Sequence, residues 1–173
     1  MKVLFDEETI RAGVARIAAQ IRDRFDGQDL TVLAVLRGGI VFAADLIRAM
    51  RMPVRLDTVG VSSYRGASTM PGEVRIISSP SLEVAGKPVL LVDDILDSGR
   101  TLARLREEVL ARGASAVATA VLLDKPSRRV ADIEPDFVAF TVPDVWVVGY
   151  GLDHGERHRN LPYIAALEAE EMN

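Results

Sequence analysis

Asp93 and Asp94 stand side by side at the end of an apolar run, residues 89–92, and the residues that follow are mostly small and polar: Asp97, Ser98, Gly99, Arg100 and Thr101. Those types in that order fit a definite chemistry. A strand that ends in two carboxylates, then a turn of small residues, then a helix N-terminus can hold a metal-bound diol and a phosphate together. Backbone N–H groups of the turn and of the first helical turn surround the phosphate. Ser98 and Thr101 add hydroxyl donors, and Gly99 allows close backbone approach. Asp97 is the carboxylate left to face a reacting centre. The combination points to chemistry on a phosphorylated sugar. The plainer alternative is a core strand followed by a capped helix, with Asp97 or Ser98 as the cap and Asp93 and Asp94 in solvent.

Such a turn needs a sheet to carry it. Ile10, Val14, Ile17, Ala18, Ile21 and Phe25 recur at helical spacing, with Asp6 as N-cap and Gly27 as a stop. Residues 30–36 read as a buried strand that runs straight into Arg37-Gly38-Gly39. A helix over 40–51 follows, closed by Pro53, and 54–63 alternates as a strand. Residues 64–73 are polar and punctuated by Gly and Pro, as an exposed loop would be, and 74–78 read as a short returning strand. Residues 89–92 form a strand, and 101–112 a helix with Leu102, Leu105 and Val109 on one face and Gly113 just past its end. Strands are expected over 116–123, 137–141 and 145–148, and 161–167 is a last apolar segment. Strands alternating with helices, at least two of them apolar throughout, predict a parallel sheet covered on both faces. Ligands sit at the carboxyl ends of such strands.

The bulk composition narrows the class. The chain has 173 residues, 49% hydrophobic and 27% charged, which suits one soluble globular domain over 1–173. A net charge of −4 without a long basic run leaves no electrostatic footprint for nucleic acid. The absence of cysteine excludes disulfides, thiolate catalysis and cysteine-bound metals. With only two histidines, His154 and His158, a multi-histidine metal site is not expected. No signal peptide and no bilayer-spanning run is seen, so the cytoplasm is the expected location.

Taken whole, VLLVDDILDSGRT resembles the 5-phosphoribosyl pyrophosphate (PRPP) motif of the type I phosphoribosyltransferases. The resemblance implies an α/β fold with a central, mostly parallel sheet flanked by helices and a small hood built from terminal segments. It also implies that Asp93 and Asp94 meet the ribose hydroxyls of PRPP and that the turn Asp97, Ser98, Gly99, Arg100, Thr101 grips its 5-phosphate. Further segments resemble the hypoxanthine-guanine branch of that family. Leu36-Arg37-Gly38-Gly39 looks like its pyrophosphate loop, which contains a non-proline cis peptide and presents backbone N–H groups; Arg37, Gly38 and Arg159 would bind pyrophosphate there. Ser62-Ser63-Tyr64 and the loop to Glu73 look like its mobile lid, represented by Ser63 and Tyr64. Lys125, in Asp124-Lys125-Pro126, corresponds to the lysine that donates to the purine 6-oxo group. In VWVVGYGLD, Trp146 would stack on the base, Val147 would read its edge through the backbone, and Asp153 would ligate Mg²⁺. Three positions depart from the common pattern: Asp93 stands where Glu is frequent, Arg37 where Lys is frequent, and His154 where Tyr is common.

The implied reaction joins a 6-oxopurine to PRPP, with Mg²⁺ held through Asp93, Asp94 and Asp153 and with Asp97 as general base near purine N7. The partners implied are PRPP and the base, in a homodimer or homotetramer, without nucleic acid or membrane. Three alternatives stand beside it. One is a xanthine- or guanine-preferring transferase. Another is a nucleic-acid-binding regulator on the same fold, and the last is a sugar-phosphate-binding module without activity.

Overall fold

A computed structural model describes residues 1–63, 74–78 and 80–172. The elements run β1 (Lys2–Phe5), α1 (Glu7–Arg24), β2 (Thr31–Leu36), α2 (Ile40–Met50), β3 (Arg55–Ser63), β4 (Val74–Ser78), β5 (Pro88–Leu96), α3 (Arg100–Ala111), β6 (Ala116–Asp124), β7 (Phe137–Thr141), β8 (Val147–Val148) and β9 (Ile164–Ala166). Short 3₁₀ turns cover Pro126–Arg128 and Ala169–Met172.

Two strands decide the architecture. In β2, Val32 and Ala34 lie in one core and Leu33 and Val35 in another; in β5, Leu90 and Val92 share the first core and Val89 and Leu91 the second. Strands apolar on both faces belong at the centre of a covered sheet. Accordingly β2 and β5 pair in parallel at the middle of a six-stranded sheet of order β4-β3-β2-β5-β6-β7, in which only β4 is antiparallel to its neighbour. Helices α1 and α2 pack Ile17, Ile21, Phe42 and Leu46 against one face, while α3 packs Leu102, Leu105 and Val109 against the other. The chain leaves β2 towards β3 on one side, and β5 lies on the other. The carboxyl ends of β2 and β5 therefore flank the crevice where strand order reverses, which is where an open α/β sheet binds ligands.

The termini build the expected hood: β1, β9 and β8 form a separate antiparallel sheet. It is tied to the main sheet by Phe5, whose ring stacks on Phe140 of β7 with centroids 4.3 Å apart. The N-cap of α1 is as expected, with Asp6 Oδ1 accepting from the Thr9 N–H at 2.8 Å.

Several boundaries differ from the sequence reading. β1 was not anticipated, because four residues carry too little periodicity and the partner β9 lies at the far end of the chain. Of 145–148 only Val147–Val148 is strand, and of 161–167 only Ile164–Ala166, since each pairs only over the short overlap in the hood. β5 continues past residue 92 through both acids to Leu96, held by pairing to β6. The capped-helix alternative for the turn is not what forms. α3 begins after Gly99, which has φ +82° and supplies no side-chain cap, and the Ser98 hydroxyl is 3.5 Å from the Arg100 N–H.

Candidate active site

The carboxyl end of β5 and the loop after β2 enclose a cleft of about 240 Å³, lined among others by Leu36, Gly38, Asp93, Asp94, Asp97, Ser98, Gly99 and Thr101. Asp93 is 7% exposed. Its carboxylate accepts the Asp94 N–H at 3.0 Å, and the Asp94 carboxylate accepts the Ile95 N–H at 2.8 Å. Burial, reinforced by the neighbouring Asp94, holds the Asp93 carboxyl well above the usual carboxylate range; burial also raises Asp94, against a lowering contribution from the Arg159 charge. Two carboxylates kept close in a low-dielectric crevice are poised to meet a cation or hydroxyl donors. The loop comes right up to them. A Cβ on Gly38 would lie 1.7 Å from Asp94 Oδ2, so no larger residue fits without displacing that carboxylate. The Leu36–Arg37 peptide in this loop is cis.

The turn after β5 is braced from outside. The Ser98 carbonyl accepts N–H bonds from Val130 (2.9 Å) and Ala131 (3.0 Å), and a Cβ on Gly99 would meet Ile133 at 2.7 Å. Arg129 donates to the Asp97 carbonyl (3.3 Å) and the Ile133 carbonyl (3.1 Å), and pairs with Asp124 at the end of β6. Both side chains of that ion pair are nearly buried, 11% and 12% exposed. The turn thus keeps its open backbone face towards the cleft while its reverse face is locked.

Just past the end of β6, Lys125 is buried. Its ammonium donates to the Val145 carbonyl at 2.8 Å and lies 3.7 Å from Asp144. Trp146 is 45% exposed, with the His154 ring edge-on at 5.2 Å. Val147 is buried in the β8–β9 pairing. Asp153 and Arg159 form an ion pair at 2.7 Å, and Glu156 lies 3.2 Å from both Arg159 and Arg37. Gly151, at φ +100°, packs so closely that a Cβ would approach the Gly38 carbonyl to 2.3 Å. Tyr150, beside it, donates to Asp45 of α2 at 2.5 Å.

The structure therefore gathers Gly38, Asp93, Asp94, Asp97, Ser98, Gly99 and Thr101 around one cleft, with Arg159 near Asp94 and Lys125 linked to Asp97 through Asp144 and Arg128. Arg100 is exposed at the start of α3 and does not line the cleft, and the Arg37 side chain is turned out to Glu156. Ser63 ends β3, and Tyr64 lies outside the described residues. Asp153 does not join Asp93 and Asp94 in one ligand set: among the described residues no group of three or more His, Asp or Glu is arranged to hold a metal. A larger cleft of about 630 Å³, between α1, α2 and residues 159–162, shares only Arg159 with the predicted set. Sequence reasoning missed Arg128, Arg129, Asp124 and Glu156. The one available signal was the Arg128-Arg129 pair just after Lys125, which looks like a solvated turn until its partners are in view.

Residues 2–154 match the family model described as the phosphoribosyl transferase domain. The chain is 44% identical over 167 residues to the hypoxanthine-guanine phosphoribosyltransferase of Bacillus subtilis, covering 96% of this chain and 93% of that one. It is 39% identical over 169 residues to the hypoxanthine phosphoribosyltransferase of Salmonella typhimurium, covering 96% and 95%. A crystal structure of a hypoxanthine phosphoribosyltransferase from Staphylococcus aureus superposes with a TM-score of 0.93 at 39% identity, covering 98% of this chain and 92% of that one.

Proposed function

This chain belongs to the phosphoribosyltransferase family, and from that premise we propose that it is a purine-salvage enzyme that transfers the 5-phosphoribosyl group of PRPP to hypoxanthine or guanine, releasing pyrophosphate. The observation that carries the reading is the cleft at the ends of β2 and β5, where the buried Asp93 and half-buried Asp94 meet a turn whose open face offers N–H groups and hydroxyls. Few ligands need a diol partner and a phosphate cradle side by side, and a ribose 5-phosphate does.

In this reading the turn from Ser98 to Thr101 binds the 5-phosphate through backbone N–H groups and hydroxyls. Asp93 and Asp94 meet the ribose hydroxyls. Lys125 donates to the purine 6-oxo group, which selects against adenine because a 6-amino group is a poor acceptor. Trp146 stacks on the base. The C1–N9 bond forms as the bond from C1 to the pyrophosphate oxygen breaks; the electron pair leaves with pyrophosphate, and Asp97 takes the proton from N7. Arg159, Arg37 and the Gly38 backbone hold the leaving pyrophosphate. Much of the acceleration comes from positioned groups and fixed charge.

The donor set fits Mg²⁺. Asp93 and Asp94 supply hard oxygens, and a site short of three protein ligands suits an ion that completes its shell with substrate oxygens and water. When bound, Mg²⁺ neutralises charge on the pyrophosphate group. Asp93 and Asp94 would hold an ion on the ribose side, and Asp153 would hold a separate one on the pyrophosphate side once it exchanges its Arg159 partner. The domain, residues 1–173, acts as one unit, in the cytoplasm, as a homodimer or homotetramer.

A spectrophotometric assay with PRPP, Mg²⁺ and each of hypoxanthine, guanine, xanthine and adenine tests the reading. Turnover with hypoxanthine or guanine and none with adenine is expected. Turnover with xanthine alone would reassign the base, and no turnover with any base would overturn the proposal.

A further inference from the structure

Asp97 carries the proton transfer in the reading above, yet nothing in its own turn fixes its carboxylate. Oδ1 is buried and accepts no hydrogen bond. What faces it is Arg128, whose Nε lies 3.1 Å away. The same guanidinium reaches back through Nη1 to Asp144 at 3.6 Å, and Asp144 in turn lies 3.7 Å from the Lys125 ammonium.

The turn that carries Arg128 is itself tied to the segment that carries Asp97. The Lys125 N–H donates to the Leu96 carbonyl at 3.0 Å. The Arg129 side chain donates to the Asp97 carbonyl, and the N–H groups of Val130 and Ala131 close on the Ser98 carbonyl. Residues 96, 97 and 98 are therefore each held through their carbonyls by the 125–131 segment. Arg128, in the middle of that segment, is the one member whose contact is with a side chain of the cleft. Its distance from Asp97 is set by backbone hydrogen bonds on both sides rather than by a free surface encounter.

We propose that Arg128 is a positioning residue for the transfer step. It fixes the Asp97 carboxylate at the point where purine N7 arrives, and through Asp144 it keeps that carboxylate in register with Lys125. The proposal rests on the Asp97 role given above. Its physical basis is that Arg128 and Asp97 are 54% and 41% exposed, so the ion pair adds little to stability. A small error in the position of a proton acceptor, by contrast, is costly in rate. The pair is thus expected to matter for turnover and not for folding.

Arg128→Met, Arg128→Lys and Asp97→Asn test this on the full chain, with kcat, the KM for PRPP and the thermal midpoint measured for each. The expected result for Arg128→Met is a kcat lowered roughly tenfold, with the KM for PRPP and the thermal midpoint unchanged. Arg128→Lys, which keeps the charge, should restore part of the loss. If Asp97→Asn abolishes turnover while Arg128→Met keeps the wild-type kcat, the positioning role is wrong and the base assignment survives. If Arg128→Met lowers kcat only together with the thermal midpoint, and Arg128→Lys does not rescue it, Arg128 is merely structural. If both Asp97→Asn and Arg128→Met keep turnover, the base assignment fails and this proposal fails with it.

Discussion

The phosphate turn and the segment expected to read the base, residues 145–159, are held by opposite means. The turn is contiguous in sequence, hangs from a central strand, and is locked from behind by the nearly buried Arg129–Asp124 pair. Its two carboxylates lie together in a crevice where burial opposes their charge. The base-side segment contributes a strand of only two residues and then bends through positive φ at Gly149, Tyr150, Gly151, Gly155, Glu156 and His158. In and around it, cations are paired with carboxylates: Lys125 with Asp144, Arg159 with Asp153, Arg37 with Glu156. One side brings two like charges together, the other sets opposite charges on each other.

The contrast breaks first at Asp97. Asp97→Asn should lower kcat by about 10²–10⁴-fold with PRPP binding retained, the range for a general base; near wild-type turnover would remove the turn's chemical role. The locking pair comes next. Arg129→Met leaves Asp124 nearly buried without its counter-charge and should cost about 3–5 kcal/mol in urea unfolding. Arg159→Met, in the base-side segment, should cost under about 1 kcal/mol of stability while raising the KM for PRPP. Equal stability losses for the two would erase the distinction. Lys125→Ala should weaken purine binding by about 1.5–3 kcal/mol, the value of a charged hydrogen bond, and leave PRPP affinity close to wild type. Similar losses for both ligands would rule out a base-reading lysine.

The smallest effect has the most diagnostic sign. Asp93 titrates above its unfolded value, because burial and Asp94 oppose its charge. The folded state therefore holds that proton more tightly than the unfolded state. The resulting stability is complete below the unfolded value and is lost as pH rises through the folded one. Above the unfolded value the buried pair is therefore a liability to the fold. Asp93→Asn should raise the thermal midpoint there by about 2–4 °C, corresponding to about 1 kcal/mol, while it weakens PRPP binding. The gain should shrink towards zero in acid, where wild-type Asp93 is already protonated. Calorimetry at pH 7.5 and in acid reads both; a midpoint lowered at neutral pH would mean that the carboxylate stabilises the fold.

How much of this was legible in the sequence follows from chain distance. β2 and β5 announce themselves because a run apolar at every position has to be buried on both faces, and the helices α1 and α3 show theirs by spacing and by Asp6 and Gly113. The phosphate turn is readable because its chemistry lies within one short stretch. β1 is not, since its pairing partner β9 is at the other end of the chain. Arg128 and Arg129 look alike in sequence, but one is locked behind the turn and the other faces the candidate base. Nor does anything in the residue types say that Glu156 draws Arg37 away from the cleft.

Residue types and their order, alone, determined a doubly covered parallel sheet, an apolar strand leading into two acids and the turn beyond them, because periodicity, burial and small-residue turns are local properties of a chain. Tertiary structure alone decided the rest. Parallel pairing of β2 with β5 brings Gly38 against Asp94. The hood lays Gly151 over the Gly38 carbonyl, and the segment after β6 sets Arg128 on Asp97. Those contacts join residues dozens of positions apart, and their distances come from the packing of whole elements, which no short stretch of sequence encodes.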